Sequence, residues 1–378
     1  MTYKSISLRK TGIGAEALGG GILKTGLDIP CNYVGDFVHI VSIENLLQSW
    51  NEFIKGKRQR TDVQLFSENL LNNIVGLHQE LVSKTYRHGA YHEFRINDPK
   101  PRIIHKPMVR DRLLHHAIYR QLYPFFDPTF IKDSYSCRKG KGTHKALNRF
   151  RDFSHKVSQN NTRTCWVLQC DIRQFFASID QQTLLVICAR KITDSDTMWL
   201  IGVTVGSFNT TKPGIGLPLG NLTSQLLVNI YLNEFDQFVK HQLRVRYYIR
   251  YADDFVLLSH NRLDLVNWLP TIRSFLQTRL NLSLHPNKVR IKTLASGVDF
   301  LGWVHFPAHR VLRTKTERRL FSALANNPSL ETTASYLGLL KHGNSYKLLN
   351  SLGVTSQKDP GVYWNPKNIN LKVEVRTS

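Results

Sequence analysis

The stretch RYYIRYADDFVLLS, from Arg246 to Ser259, sets two adjacent carboxylates inside an apolar run. Tyr247, Tyr248, Ile249 and Tyr251 on one side, and Phe255 to Leu258 on the other, all seek a core. An unpaired charge is costly to bury in such company, so Asp253 and Asp254 need compensation. A solvated turn is the plain reading of Ala-Asp-Asp alone, but flanks this apolar, with few turn formers, make it the minor one. Two apolar strands meeting at Ala252-Asp253-Asp254 read instead as a tight hairpin.

Two further stretches supply company for the pair. TCWVLQCDIRQFF (Thr164–Phe176) is a buried strand that ends in Asp171, and GIGLPLGNLTSQLLVNIYLNEFDQF (Gly214–Phe238) is a Gly-Pro loop entering a helix. Leu227, Tyr231, Phe235 and Phe238 line one face of that helix. An Asp at a strand end and an Asp pair at a hairpin tip can converge on one point of a sheet. Converging carboxylates repel and must be neutralised by protons or by metal. Oxygen-only ligands suit Mg²⁺ or Mn²⁺ rather than zinc. Two such ions can clamp the attacking and leaving oxygens of an in-line phosphoryl transfer. Successive strand residues point to opposite faces, so the adjacent aspartates are not equivalent. Asp171 and Asp253 are expected as principal ligands, with Asp254 weaker.

Composition bounds the partner. The 378 residues carry 51 Lys+Arg against 28 Asp+Glu, a net charge of +23. That excess points to a polyanion, with nucleic acid ahead of an anionic membrane surface, and a basic surface kept for solubility as the plain alternative. At 42% hydrophobic the chain can build a real core, and its length is room for two or three domains or one multi-lobed enzyme. The five cysteines form no CxxC pair; Cys165 and Cys170 fit as small packing residues on a strand, and no His/Cys cluster completes a zinc site. A reducing cytoplasm fits this usage best. No apolar run reaches the roughly 18 residues of a membrane span, and MTYKSISLRK lacks the apolar centre of a signal peptide.

Residues 11–26, TGIGAEALGGGILKTG, match GxGxxA at Gly12, Gly14 and Ala17. No buried strand precedes them, so a flexible leader is read over residues 1–41 rather than a dinucleotide site. From Ser42 the pattern turns helical in SIENLLQSWNEFIKGKRQR, on a Ser cap with Glu44 close behind. A second helix is read over SENLLNNIVGLHQELVSK, a basic-faced hairpin over Tyr91–Pro107, and a helix over VRDRLLHHAIYRQLYPFF, ended at Pro128. SYSCRKGKGTHKAL is a glycine-lysine loop leading into another helix. Strands and helices without a regular βαβ rhythm give an α+β fold.

Tyr251-Ala252-Asp253-Asp254 resembles the YxDD signature of reverse transcriptases. Asp171 with IRQFF resembles their first palm motif, VDFLGW (Val298–Trp303) their primer grip, and NLSLHPNKV the intervening motif that carries a lysine. In GLPLGNLTSQ, Leu219 stands where intron and retroviral enzymes carry Gln, and Ser224-Gln225 stand where intron and retron types have Ser-Pro. That combination resembles the reverse transcriptases of diversity-generating retroelements. YHEFRINDPKPRII, SYSCRKGKGTHKAL and HRVLRTKTERRL are similar to that group as well, so the resemblance spans nearly the whole chain beyond the leader.

The resemblance implies a right-hand polymerase, with fingers and palm over residues 42–303 and a small helical thumb over 304–378. It implies that Asp171, Asp253 and Asp254 hold two Mg²⁺ ions, for which Mn²⁺ can substitute, with the Ile172 carbonyl as a further ligand. Phe176 takes the steric-gate position that crowds a 2′-hydroxyl; a plain core Phe beside Phe175 is the alternative. Arg102 would pair with the triphosphate of a dNTP, and Leu219, Gly220 and Gln225 would border that nucleotide. Lys288 would protonate the pyrophosphate leaving group, or be an ordinary surface Lys. Arg138 and Lys139 would contact template RNA, or belong to a mobile basic loop. Phe300, Leu301, Gly302 and Trp303 would seat the primer terminus, with Phe300 and Leu301 equally readable as core.

The expected activity is RNA-directed DNA synthesis, error-prone at template adenines, in mutagenic retrohoming that diversifies a target gene. The implied partners are the element's template RNA, a DNA primer, dNTPs and a small basic accessory protein, in a bacterial or phage-encoded cytoplasmic setting without a membrane. The residues after 303 leave room for a thumb but not for a typical ribonuclease H domain besides, and no HNH-like motif is present. A retron- or defence-type enzyme is the rival in mechanism, although the retron Val-Thr-Gly signature is missing. A non-catalytic RNA-binding protein on a polymerase scaffold is the rival from another class.

Overall fold

The computed structural model describes residues 36–97, 101–325 and 328–351. The glycine-rich segment at 11–26 lies outside them. Helix α1 (Phe37–Val41) falls within the expected leader, because Phe37, Ile40 and Val41 are buried. Ser42 then caps α2 (Ile43–Phe53), its hydroxyl accepting from the Asn45 N–H at 3.1 Å. The helix expected over 67–84 is α4 (Leu70–Val82); its first two residues instead end a separate α3 (Thr61–Glu68), because Asn69 leaves helical geometry with φ −120°. Strands β1 (His92–Ile96) and β2 (Arg102–Lys106) pair antiparallel as the expected hairpin, with Phe94 opposite Ile104. Helix α5 (Val109–Phe126) packs on α2 and carries Pro124 in its last turn. After a 3₁₀ turn at Asp127–Thr129 and a loop, α6 (Thr143–Ser158) begins behind Gly142, whose φ of 111° suits glycine.

The central sheet comes next. Strand β3 (Trp166–Asp171) is followed by α7 (Phe175–Ser178), α8 (Gln181–Ala189), α9 (Ser195–Gly206) and α10 (Leu222–Gln237). Then come β4 (Tyr248–Tyr251), β5 (Asp254–Ser259), α11 (Arg262–Leu280) and β6 (Arg290–Thr293). The four strands lie in the order β4-β5-β3-β6, and each neighbouring pair is antiparallel. Phe255 to Leu258 are all buried, which explains why β5 reads as a continuous apolar run rather than an alternating one. In α10 the four predicted face residues are buried, but so are Leu226, Val228, Ile230 and Leu232. That helix is enclosed on all sides, not amphipathic.

Beyond the central sheet, β7 (Val298–Phe300), β8 (Trp303–His305) and β9 (Arg310–Leu312) form a three-stranded antiparallel sheet. It runs through residue 303, and helix resumes only at α12 (Thr314–Ala325), followed by α13 (Leu330–Leu340) and α14 (Tyr346–Ser351). One core cluster joins these parts: Phe150 of α6, Val167 and Ile249 of the central sheet, Phe300 and Trp303, and Leu320 and Leu337 of the last helices. Gly343 sits so close to Trp303 that a Cβ there would fall 1.9 Å from the indole ring. Only glycine lets the chain cross that face.

The deepest polar feature is an ion pair. Arg250 and Asp236 are both fully buried; the guanidinium donates from Nη2 to Oδ2 at 2.7 Å and from Nε to Oδ1 at 2.8 Å. Tyr248 donates to the same carboxylate at 2.7 Å, and Arg250 Nη1 reaches Asn229 Oδ1 at 3.2 Å and the Ala252 carbonyl at 3.3 Å. The pair therefore ties α10 to the turn between β4 and β5. Removing one partner of a buried pair strands the other charge, at a cost of about 3–5 kcal/mol. Asp236→Ala is expected to lose that much in urea unfolding, and the doubly apolar Asp236→Leu/Arg250→Met should recover most of it. A loss below about 1 kcal/mol in Asp236→Ala would show that the pair does not support the sheet.

Candidate active site

Asp171 ends β3 and Asp254 opens β5, and their Cα positions are direct cross-strand partners. Asp253 occupies the two-residue turn with Ala252, and its carbonyl accepts from the Ile172 N–H at 3.2 Å. Ala252 holds a φ of 54°, a left-handed conformation that costs a non-glycine residue about 1 kcal/mol or more. The turn is kept in that shape from two sides. Arg250 binds its carbonyl from within, and the backbone of 133–135 pairs with Arg250 along the outer edge of β4, through Arg250 N–H to Asp133 O and Tyr135 N–H to Arg250 O.

The electrostatics answer the question raised by the apolar flanks. Burial pushes the Asp254 carboxyl up to about 7, helped by the Asp253 charge, a hydrogen bond with Asp171 and the Asp171 charge. A proton or a cation between Asp254 and Asp171 would relieve this crowding of carboxyls. Burial also raises Asp253, and the Asp171 charge adds to this, while Lys288 and Arg102 pull it down. Lys288 donates to Asp171 Oδ2 at 2.7 Å across the sheet edge. The facing pair among the three aspartates is Asp171 and Asp254. The reason is register: the antiparallel ladder places 171 opposite 254 and leaves 253 in the turn.

Among the described residues no group of three or more His, Cys, Asp or Glu side chains stands ready-made as a metal cage. The donor chemistry nevertheless fits a hard divalent cation. It offers oxygens alone, on carboxyls that burial and mutual repulsion hold above their ordinary range. A single ammonium, on Asp171, supplies the nearest positive charge.

The neighbouring backbone is stitched to this centre. His285 N–H donates to Asp171 O at 2.7 Å, Leu217 N–H to Phe176 O at 2.8 Å, and Gly216 N–H to Ile179 O at 2.7 Å. The loop before α10 is thereby zipped to α7. His105 N–H donates to Leu219 O at 3.2 Å, which docks the β1–β2 hairpin on the same loop. Gly220 has φ 111°, and a Cβ there would sit 3.0 Å from Ile104, so glycine allows this close approach. Leu219 and Gln225 are half-buried beside it, and Arg102 is exposed at the start of β2 with its charge felt by Asp253. Phe176 is half-buried and edge-on to the buried Phe175, with centroids 5.7 Å apart.

Other expected residues are placed differently. The Arg138 guanidinium is turned inward: it donates to Asp127 Oδ1 at 2.7 Å, to the carbonyls of Ile131, Ser134 and Asp127, and lies over the Phe130 ring. It braces its own loop and has no face left for template, which corrects the expectation drawn from the basic run. Lys139 is exposed, with its backbone N–H on the Tyr123 hydroxyl. Phe300 and Trp303 are core residues, 3% and 1% exposed, so the grip reduces at its tip to Leu301 and Gly302. Both have positive φ, 50° and 85°, as a two-residue hairpin turn requires. Arg250, Asp236 and Asn229 went unnoticed in the sequence, although a lone Arg inside Tyr-Ile-Arg-Tyr raises the same burial question as the Asp pair.

Comparison with known proteins now gives these features a family. The profile of the family described as "Reverse transcriptase (RNA-dependent DNA polymerase)" matches residues 95–305. Protein YkfC of Escherichia coli K12 is 27% identical over 276 residues, covering 62% of this chain and 70% of YkfC. The group II intron-encoded protein LtrA of Lactococcus lactis subsp. cremoris is 23% identical over 337 residues, covering 70% of this chain. This chain spans about half of LtrA, 54% of its length. The solved apo telomerase of Candida tropicalis aligns with a TM-score of 0.48 at 11% identity, covering 70% of this chain and 61% of that one. The profile match takes in β2, the central sheet with all three aspartates, and β7 and β8; the chain belongs to the reverse transcriptase family.

Proposed function

We propose that this chain is an RNA-directed DNA polymerase that copies the template RNA of a diversity-generating retroelement for mutagenic retrohoming. The observation that carries the polymerase reading is the meeting of Asp171, Asp253 and Asp254 at one end of an antiparallel sheet, with Arg102 and Lys288 in electrostatic reach. Asp171, Asp253, Asp254 and the Ile172 carbonyl would hold two Mg²⁺ ions, or Mn²⁺ in their place. Bound there, the cations would polarise the primer hydroxyl and neutralise charge on the transferred phosphoryl group. Arg102 would hold the triphosphate of the dNTP by charge-assisted hydrogen bonds. Lys288 would release Asp171 and give its proton to the leaving pyrophosphate. Phe176 would crowd a ribose 2′-hydroxyl. Leu301 and Gly302 would touch the primer end, and a helical thumb following the three-stranded sheet would close on the duplex.

The net charge of +23 supports a nucleic-acid partner, and among the described residues no helix is long and apolar enough to cross a membrane. The retroelement assignment, with its cytoplasmic setting and small basic accessory protein, is supported by the Leu219 and Ser224-Gln225 pattern.

Catalysis is tested directly. Asp253→Asn and Asp171→Asn should each lower extension of a DNA primer on an RNA template by at least about two orders of magnitude, with RNA binding retained. Near-normal extension in both would refute the carboxylate assignment and favour a binding role.

Metal-free stability gives an independent readout. The Asp254 carboxyl is raised to about 7 from the ordinary 3.8 of a free Asp, so the folded state binds more protons than the unfolded one between those values. Stability should therefore fall as pH rises from about 4 to about 7 in chelator and level off above that, the sign opposite to that of a salt-bridged carboxylate. Asp254→Asn should flatten this slope in thermal melts, and Mg²⁺ should raise the Tm of the wild type at the upper end. An unchanged slope in the variant would place the titration elsewhere.

Fidelity tests the retroelement assignment. Leu219 offers no donor or acceptor beside the nucleotide, and a lost hydrogen bond is worth roughly 1–3 kcal/mol of discrimination. Sequenced cDNA should show errors concentrated at template adenines, and Leu219→Gln should reduce them by about tenfold. Equal error at all four bases would reject the retroelement class and leave the polymerase intact.

A further inference from the structure

A second concave site shares no residue with the aspartate centre. It lies between α6, the β8–β9 hairpin and the loop that follows α13, and encloses about 390 Å³, within the range of small-ligand sites. Its wall is apolar at Phe150, Leu294 and Pro307, and its rim is basic: Arg151, His309, Arg310 and Lys341 all line it, and none of its lining residues is Asp or Glu.

Two buried polar atoms there have no partner among the described residues. One is Arg310 Nη1. The other two guanidinium nitrogens of Arg310 are engaged, Nε with the His342 carbonyl and Nη2 with Asn148 Oδ1, so the group is held in place with its Nη1 amino group unspent. Burial lowers the pKa of Arg310 and the nearby Arg151 charge adds to that. The second atom is Nε2 of His305, a residue only 3% exposed. Its ring lies 4.6 Å from that of Phe150, and its other nitrogen is hydrogen-bonded to the Phe300 backbone. A neutral imidazole that donates from Nδ1 to a carbonyl presents a bare lone pair at Nε2. Burial keeps the ring neutral, pushing it down to about 3. The cavity thus offers a fixed donor for an anion and, on its wall, an acceptor that wants a hydroxyl.

We propose that this cavity binds a ribonucleotide unit, its phosphate on Arg310 and the basic rim and a ribose hydroxyl donating to His305 Nε2. A deoxyribose lacks the 2′-hydroxyl and would leave the His305 acceptor unsatisfied. The site therefore favours RNA over DNA away from the carboxylates. The phosphate and ribose can come from an RNA chain or from a free ribonucleotide, and the two sources are separable.

The test uses the full chain and a short RNA carrying 4-thiouridine, beside its 2′-deoxy counterpart, with photocrosslinks mapped by mass spectrometry. The RNA should label the peptide containing His305 to Arg310 about tenfold more than the DNA, as expected for one lost hydrogen bond. Arg310→Gln should abolish the label, and His305→Phe, which keeps the ring, should bring the RNA to DNA ratio close to one. Arg151→Ala, on the exposed rim, should weaken labelling without lowering the Tm, which keeps the proposal testable if the buried variants unfold. Competition by UMP at the same nucleotide concentration would assign the site to a free ribonucleotide, and its failure would assign it to an RNA chain; either keeps the chemistry. Equal labelling by RNA and DNA, or loss of the label to inorganic phosphate as readily as to UMP, would overturn it. The peptide map is read separately from primer extension, so failure here and failure of the polymerase reading are distinguishable.

Discussion

The turn at the aspartate end of the sheet is held by one buried guanidinium. Arg250 has no solvent exposure, and its partners come from two places: Asp236 and Asn229 on α10, and the carbonyl of Ala252 in the turn. Taken out of water, such a charge is tolerated only with complete compensation, and here it has a bidentate carboxylate and two neutral acceptors. The low dielectric that makes burial costly also makes these bonds stiff. The left-handed Ala252, which alone would relax toward other conformations, is held where Asp253 must stand. The outer edge of β4 is covered at Arg250 by residues 133–135, so β4 is held against slipping in register.

Legibility followed range along the chain. The β4–β5 hairpin, β3, the β1–β2 hairpin and α10 were readable because apolar period and turn residues are local signals. The aspartates were readable because a carboxylate in an apolar run violates a local rule, and such violations gather at functional sites. What stayed hidden was decided by partners distant in sequence. Arg138 belongs to a basic run, yet Asp127 and three carbonyls claim it. Phe300 and Trp303 sit in a motif, yet the helices beyond make them core. The break at Asn69 turns on the backbone of one residue inside an otherwise helical pattern.

The same contrast separates the two polar centres. Around Arg250 every charge is matched, and the result is rigidity. Around Asp254 the charges are left partly unmatched: burial and neighbouring carboxylates raise it, and one lysine answers for Asp171. A centre optimised for stability would have replaced one of these acids, because like charges in a half-buried site cost more than they return. Keeping them leaves the site with high affinity for positive charge, and the matched pair behind it carries the structural burden. Strain at Ala252 belongs to the same division of labour.

Strand β8 extends that division to the far side of the sheet. Trp303 and His305 are two residues apart, so they share a face of the strand. Trp303 is pinned by Gly343, which has no Cβ to spare, and His305 by Phe150 and the Phe300 backbone. The loop of Lys341 to Asn344 therefore touches the tryptophan at one point and lines the basic cavity at another. Packed interiors do not deform continuously, so this loop cannot shift at the cavity without disturbing the packing on Trp303.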